Sequence, residues 1–209
     1  MTTLVIGANG RVGRQLCELA VGAGIDVRAM LRHRAEEPAF EELGIGSVAG
    51  DLEGDIQEAM QGCDEVVFVA GSGPHTGPER TLLVDLNGAV RAIELAEELG
   101  VKRFVMLSAL RANDPIAAPE ALRPYMAAKY AADRLLAHSR VPYVILAPGK
   151  FTDEEATGLV STSPQSQPDI SISRGNVALA LLEVLRKPDL ANRRIELVDG
   201  DTPVAQAIS

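Results

Sequence analysis

The stretch TTLVIGANGRVGRQLCELA, residues 2–20, places Gly7, Gly10 and Gly13 at intervals of three between a short apolar run and a helix-like segment. A strand, a glycine turn and a helix N-terminus in that order form a phosphate cradle. The first glycine permits the bend, the second lets backbone approach a pyrophosphate, and the third lets the helix pack on the strand. The spacing alone is equally consistent with a tight strand–helix turn. Its place at the head of an alternating chain favours a dinucleotide site. Its expected contacts are Gly7, Asn9, Gly10, Arg11, Val12 and Gly13.

The alternation continues from this turn to the far end. Residues 3–7, 26–32, 47–51, 65–71, 103–109 and 143–149 read as strands, most of them unbroken apolar runs of the kind buried on both faces. Between them, residues 14–24, 79–100 and 125–139 read as helices, and shorter helical pieces follow the second and third strands. This pitch predicts a single α/β domain with a parallel sheet and helices on both faces. From about residue 150 the character changes. Residues 150–168 are rich in Ser, Thr, Gly and Pro and predict a loop, a lid over the neighbouring site. A strand in DISIS, a helix over 176–187, a strand over 193–200 and a last helical turn close the chain, as a small substrate-side portion of the same domain.

Composition narrows the partners. Hydrophobic residues make up 46% of 209 residues but aromatics only 3%, so the core is aliphatic and Ala-rich, as layered helix and sheet require. A net charge of −9 argues against a nucleic-acid partner, since a phosphate backbone is met by basic surface. No apolar run is long enough to span a bilayer, so no membrane partner is expected. The N-terminus enters a strand without a basic segment before it, and Cys17 and Cys63 lack a Cys-x-x-Cys spacing. A reduced, cytoplasmic protein without a signal peptide is therefore expected. His33, His75 and His138 are scattered and suggest no metal site. Both a monomer and a homodimer remain open.

The second strand ends Met30-Leu31-Arg32-His33-Arg34, with no acid to hold the adenosine ribose hydroxyls. A guanidinium such as that of Arg32 suits a 2′-phosphate, so NADP is expected over NAD.

These residues, with Asp51-Leu52 after the third strand, VFVAG in the fourth, Ser108 ending the fifth and Tyr125-Met-Ala-Ala-Lys129 on the next helix, resemble the short-chain dehydrogenase/reductases. The similarity is to their short atypical branch, the NAD-dependent epimerase/dehydratase-like members, and covers nearly the whole chain. The resemblance implies a Rossmann-type doubly wound sheet. It implies that Asp51 and Leu52 contact adenine, that Ala70 and Gly71 pass the adenosine ribose, and that Pro148 and Gly149 line the nicotinamide side. The family's active-site Asn corresponds to Asp85, which is equally readable as a structural acid. The Pro-rich stretch between Ser108 and Tyr125 is longer than expected.

For catalysis the resemblance implies a small-molecule carbonyl or similar acceptor. Ser108 would orient its oxygen and Tyr125 would supply a proton. Lys129, four residues on and so on the same helix face, would lower the phenol's pKa and hold the nicotinamide ribose. The competing readings are a sugar epimerase or dehydratase and a non-catalytic NADP-binding redox sensor. About sixty residues follow Gly149, little for a sugar-nucleotide subdomain.

Overall fold

A computed structural model describes residues 1–73, 76–166 and 170–209; His75 and the end of the expected 150–168 loop lie outside these. Seven strands run parallel: β1 (Thr3–Ile6), β2 (Val27–Leu31), β3 (Gly46–Ala49), β4 (Glu65–Phe68), β5 (Arg103–Leu107), β6 (Tyr143–Pro148) and β10 (Arg193–Asp199). Among the described residues, three short strands lie between β6 and β10: β7 (Lys150–Thr152), β8 (Leu159–Ser161) and β9 (Ser171–Ser173). The two-residue β11 (Thr202–Pro203) follows β10. Among the described residues the main sheet has the order β11-β8-β10-β6-β5-β4-β1-β2-β3, with β8 and β11 antiparallel to their neighbours and β7 paired to β9 apart from it. The order reverses between β1 and β4. In an open α/β sheet the crevice beyond the strand C-termini at that point receives the ligand.

The continuous apolar strands serve two cores at once. Val5, Val105 and Val144 face a layer that contains Leu16 and Ala20 of α1 (Arg11–Gly22) and Leu181 and Val184 of α7, the helix Arg174–Leu185. Leu4, Ile6, Phe68, Phe104 and Met106 face the other layer. There Ala92 and Ile93 belong to α5 (Ala89–Leu99), and Ala132 and Leu136 to α6, the helix Arg123–His138. Three short helices, α2 (Glu37–Glu41), α3 (Gln57–Met60) and α4 (Pro78–Arg80), and a terminal α8 (Val204–Ala207) complete the set. Cys17 is packed inside the first layer, where burial pushes its thiol up to about 12; Cys63 is half-buried, and both are free.

Three expectations are corrected. The first helix begins at Arg11 rather than residue 14, directly after Gly10. The helix expected over 79–100 is not uniform: α4 and α5 flank eight residues of π-type winding, Thr81–Gly88. Such windings are rare and concentrate at functional sites. The loop expected over 150–168 contains β7 and β8. Strands of three residues give no periodic signal, and these are held by pairing partners distant in sequence.

One buried ion pair ties the sheet to α7. Glu65 and Arg103, on adjacent strands in register, are bonded through Arg103 Nε. The same guanidinium donates to the carbonyls of Lys187 (2.6 Å), Val184 (3.0 Å) and Leu190 (3.1 Å), and Thr3 Oγ1 donates to Glu65 Oε2 at 3.2 Å. Burial raises the Glu65 pKa against the pull of Arg103. Removing one partner leaves the other charge buried and alone. Arg103→Ala is expected to lower the unfolding free energy by about 3–5 kcal/mol in urea denaturation, and replacement of both residues by Met to cost less.

Candidate active site

The glycine turn has the geometry its spacing suggests. Gly7 has φ +91°, and a side-chain carbon there would sit 2.6 Å from the Ala70 nitrogen at the end of β4. One on Gly13 would sit 2.3 Å from the Gly7 oxygen, and one on Gly10 3.1 Å from it. Gly10 N–H donates to Gly7 O at 3.0 Å, and Gly10 caps α1 without a side-chain bond to the first turn. The first N–H groups of a twelve-residue helix thus face the crevice unblocked by a capping side chain, a site suited to an anion.

Around this turn is a cavity of about 300 Å³. It unites Gly7, Asn9, Gly10, Arg32, Asp51 and Leu52, together with Ala70 and Gly71. Val12 and Gly13 are buried behind the turn, and Arg34 does not line the cavity. Arg32 is exposed; its Nε lies 3.2 Å from His33 Nε2, with no carboxylate partner among the described residues. Glu36, which the sequence reading did not single out, also lines the cavity and accepts from Asn9 Nδ2 at 2.7 Å. Arg14 in turn donates to Asn9 Oδ1 at 2.7 Å. Arg11, at the helix start, bonds Asp153 at 2.7 Å, and Arg174 reaches the same carboxylate at 2.5 Å. Arg11 first and Arg174 second hold Asp153 below the usual carboxylate range.

A second cavity, about 530 Å³, opens at the C-terminal ends of β5 and β6. Ser108, Tyr125, Pro148 and Gly149 line it, and its walls are largely apolar: Leu110, Leu122, Met126, Phe151 and Ile170. The Pro-rich stretch after Ser108 supplies one wall through two short turns, Pro115–Ala117 and Glu120–Leu122. A side-chain carbon at Gly149 would lie 1.8 Å from the Ile170 oxygen, so only glycine fits there.

Lys129 and Asp85 are both buried and line neither cavity; Asp85 lies against Gly71 of the first and Lys129 against Tyr125 of the second. Lys129 Nζ is 3.5 Å from Asp85 Oδ1, donates to the Leu107 carbonyl at 3.2 Å and sits over the Tyr125 ring at 5.8 Å from its centre. Asp85 Oδ2 accepts from Ser72 N–H at 2.9 Å, and a side-chain carbon at Gly71 would approach Asp85 Oδ1 to 3.1 Å. The phenol does not behave as expected. Burial raises the Tyr125 pKa, Lys129 lowers it, and Asp85 and Asp133 raise it; the net shift is upward. The ammonium's field is offset by the carboxylate it is paired with.

Asp133, four residues beyond Lys129, is a further member that the sequence reading missed. It accepts from Ser108 Oγ at 2.6 Å and from Arg194 at 2.5 Å. Nothing in a helical AADRLL segment marks an acid as inward-facing.

A family model described as NAD(P)H-binding matches residues 7–188. The chain therefore belongs to this NAD(P)H-binding family, of the atypical short-chain dehydrogenase/reductase type. It is 41% identical over its full length, and 99% of the relative's, to a Bacillus subtilis protein described as an uncharacterized sugar epimerase, YhfK. A NAD-dependent epimerase/dehydratase-type structure from Bacillus halodurans superimposes with TM-score 0.95 at 40% identity, covering 100% of this chain and 98% of that one. The oxidoreductase ylbE from Lactococcus lactis gives TM-score 0.85 at 28% identity, covering 100% and 95%.

Lys129→Met removes the cation that lowers the Tyr125 pKa and leaves Asp85 without its ion-pair partner among the described residues. Tyrosine titration followed at 295 nm, with Tyr125→Phe assigning the signal, should show Tyr125 ionising at higher pH than in the parent.

Proposed function

We propose that this protein is an NADP-dependent oxidoreductase that passes hydride to a small carbonyl or similar acceptor held in the second cavity. The observation that carries the reading is a chain of contacts between a turn fitted to a dinucleotide and an apolar cavity: Asp85 lies against Gly71 of the first, Lys129 sits over Tyr125 of the second, and the two are paired. The cradle fits the cofactor, since Gly7 and Gly13 let the turn, β4 and α1 pack closely and Gly10 caps α1 with no side chain over its first N–H groups. Gly7, Asn9, Gly10, Arg11, Val12 and Gly13 would hold or shape the pyrophosphate site, Asp51 and Leu52 the adenine, and Ala70 and Gly71 the ribose. Arg32, without a carboxylate partner, would take the 2′-phosphate. Lys129 would hold the second ribose, with Pro148 and Gly149 on the nicotinamide side. Bound NADPH supplies the hydride.

The chain's own residues then handle the proton. A phenol whose pKa is raised stays protonated at neutral pH and can donate to the developing alkoxide from Tyr125 Oη. Asp85 fixes the Lys129 ammonium over that ring. Residues from about 150 onward form the substrate side through Lys150, Phe151 and Ile170. The sugar-epimerase description of the Bacillus subtilis relative would favour a polyhydroxylated ligand, whereas Leu110, Leu122, Met126 and Phe151 favour an apolar one.

Fluorescence titration should give NADPH at least tenfold tighter binding than NADH, about 1.4 kcal/mol, and Arg32→Ala should remove most of that difference. Equal affinities in the parent would end the assignment of Arg32. On a carbonyl panel, Tyr125→Phe should lower turnover by about 10²–10⁴ while NADPH affinity holds. NADPH binding without consumption of any acceptor would instead favour the sensor reading.

A further inference from the structure

We infer that Ser108 meets the ligand of the second cavity as a hydrogen-bond acceptor, so that this ligand presents an O–H or N–H group to it, and that Asp133 is the positioning residue that fixes this polarity. The inference rests on the reading of that cavity as the substrate site.

A serine hydroxyl has one hydrogen to give and two lone pairs to offer. In Ser108 the hydrogen is engaged: Oγ donates to Asp133 Oδ2 at 2.6 Å, inside the protein, in the distance range of a charge-assisted bond. The carboxylate is itself held. Arg194, arriving from β10, donates through one nitrogen to the same oxygen at 2.5 Å and through the other to the Ala109 carbonyl at 3.0 Å. Asp133 Oδ1 is buried and has no hydrogen-bond partner among the described residues. Were Asp133 protonated there, that hydrogen would be a buried donor with no acceptor, which is costly. Burial raises the Asp133 pKa, against Ser108, Arg194 and Lys129, which face it together with Tyr125 and favour its ionised form.

What remains for the cavity is a pair of lone pairs at Ser108 Oγ. A bare carbonyl oxygen placed there would meet like polarity. The hydrogen for a substrate oxygen must come from Tyr125, which makes no hydrogen bond through its hydroxyl among the described residues. Tyr125 and Ser108 therefore read two different groups, one accepting and one donating. The fitting substrate class is an acceptor whose reducible carbonyl or imine carries a neighbouring hydroxyl or N–H, on an apolar body that suits Leu110, Leu122 and Met126.

The test uses two probes of one shape, 1-naphthol and 1-methoxynaphthalene. Their affinities are measured by fluorescence on the whole protein, with and without NADP⁺. The naphthol should bind about two- to tenfold tighter, the range of one net hydrogen bond. Ser108→Ala should erase the ratio. Asp133→Ala removes the acceptor of the Ser108 hydroxyl, frees it to donate to the ether oxygen and should bring the ratio toward one, a change that a merely structural role would not make. If Asp133→Ala does not fold by circular dichroism, Asp133→Leu, which fills the space and also lacks an acceptor, is measured in its place with the same expectation. Equal binding of the two probes in the parent, or a ratio that survives Ser108→Ala, overturns the inference. An unchanged ratio in the Asp133 variant overturns the role of Asp133. Failure of NADP⁺ to bind would count against the oxidoreductase reading and leave the probe ratio, measured without cofactor, to judge Ser108 separately.

Discussion

The carbonyl of Gly7 occupies the space that a side chain at residue 13 would need: a carbon there would come within 2.3 Å of the oxygen. The rest of the molecule is organised around this contact. It seats the first turn of α1 directly on the bend that leaves β1, so the helix starts within one residue of Gly10 and directs its N–H groups into the crevice. The bend itself is pressed against the end of β4 at Ala70, which brings two neighbouring strands to the same opening where the sheet order reverses. Local steric permission and global topology therefore converge on a single place, as consistency across levels in a folded sequence requires.

Away from the turn, polar chemistry is carried by long-range partners inside the two layers. Glu65 and Arg103 bind β4, β5 and the end of α7 through one guanidinium. Lys129 and Asp85 join α6 to the π-wound segment, and Asp133 joins α6 to β5 and β10. The stripe Tyr125, Lys129, Asp133 runs down one face of α6 at intervals of four, so that a single helix places a phenol, an ammonium and a carboxylate against the ends of the central strands.

Much of this was legible before the structure. The unbroken apolar strands, the glycine turn and Gly100, which closes α5 with φ +68°, all carry their conformation in their own few residues. Asp51-Leu52 and Ala70-Gly71, singled out through the family resemblance, come to line the first cavity because they lie just beyond the ends of β3 and β4. The remainder was hidden because it depends on pairing across sequence. Asp133 finds Ser108 25 positions away and Arg194 61 away. Glu36 reaches the cavity only because Asn9, 27 positions off, holds it there. The upward shift of the Tyr125 pKa could not be seen from a Tyr-x-x-x-Lys spacing, since it arises from burial and from the carboxylates of Asp85 and Asp133. The π winding has no distinct residue signature, and β7, β8 and β11 are too short to show a period.

The sheet's outermost strand has a bearing on how the molecule behaves in a crowded solution. An open edge offers a row of free amides and carbonyls on which another chain can build. Here the outer edge is β11, two residues long, and one of them is Pro203, which has no amide hydrogen to offer. The chain turns at once into α8, so no extended ladder is presented beyond that point. At the opposite edge β3 has four residues, begins with glycine and is followed by Gly50. A wide sheet with such short borders is poorly suited to edge-to-edge growth, and resistance to aggregation is thereby built into the same topology that forms the crevice.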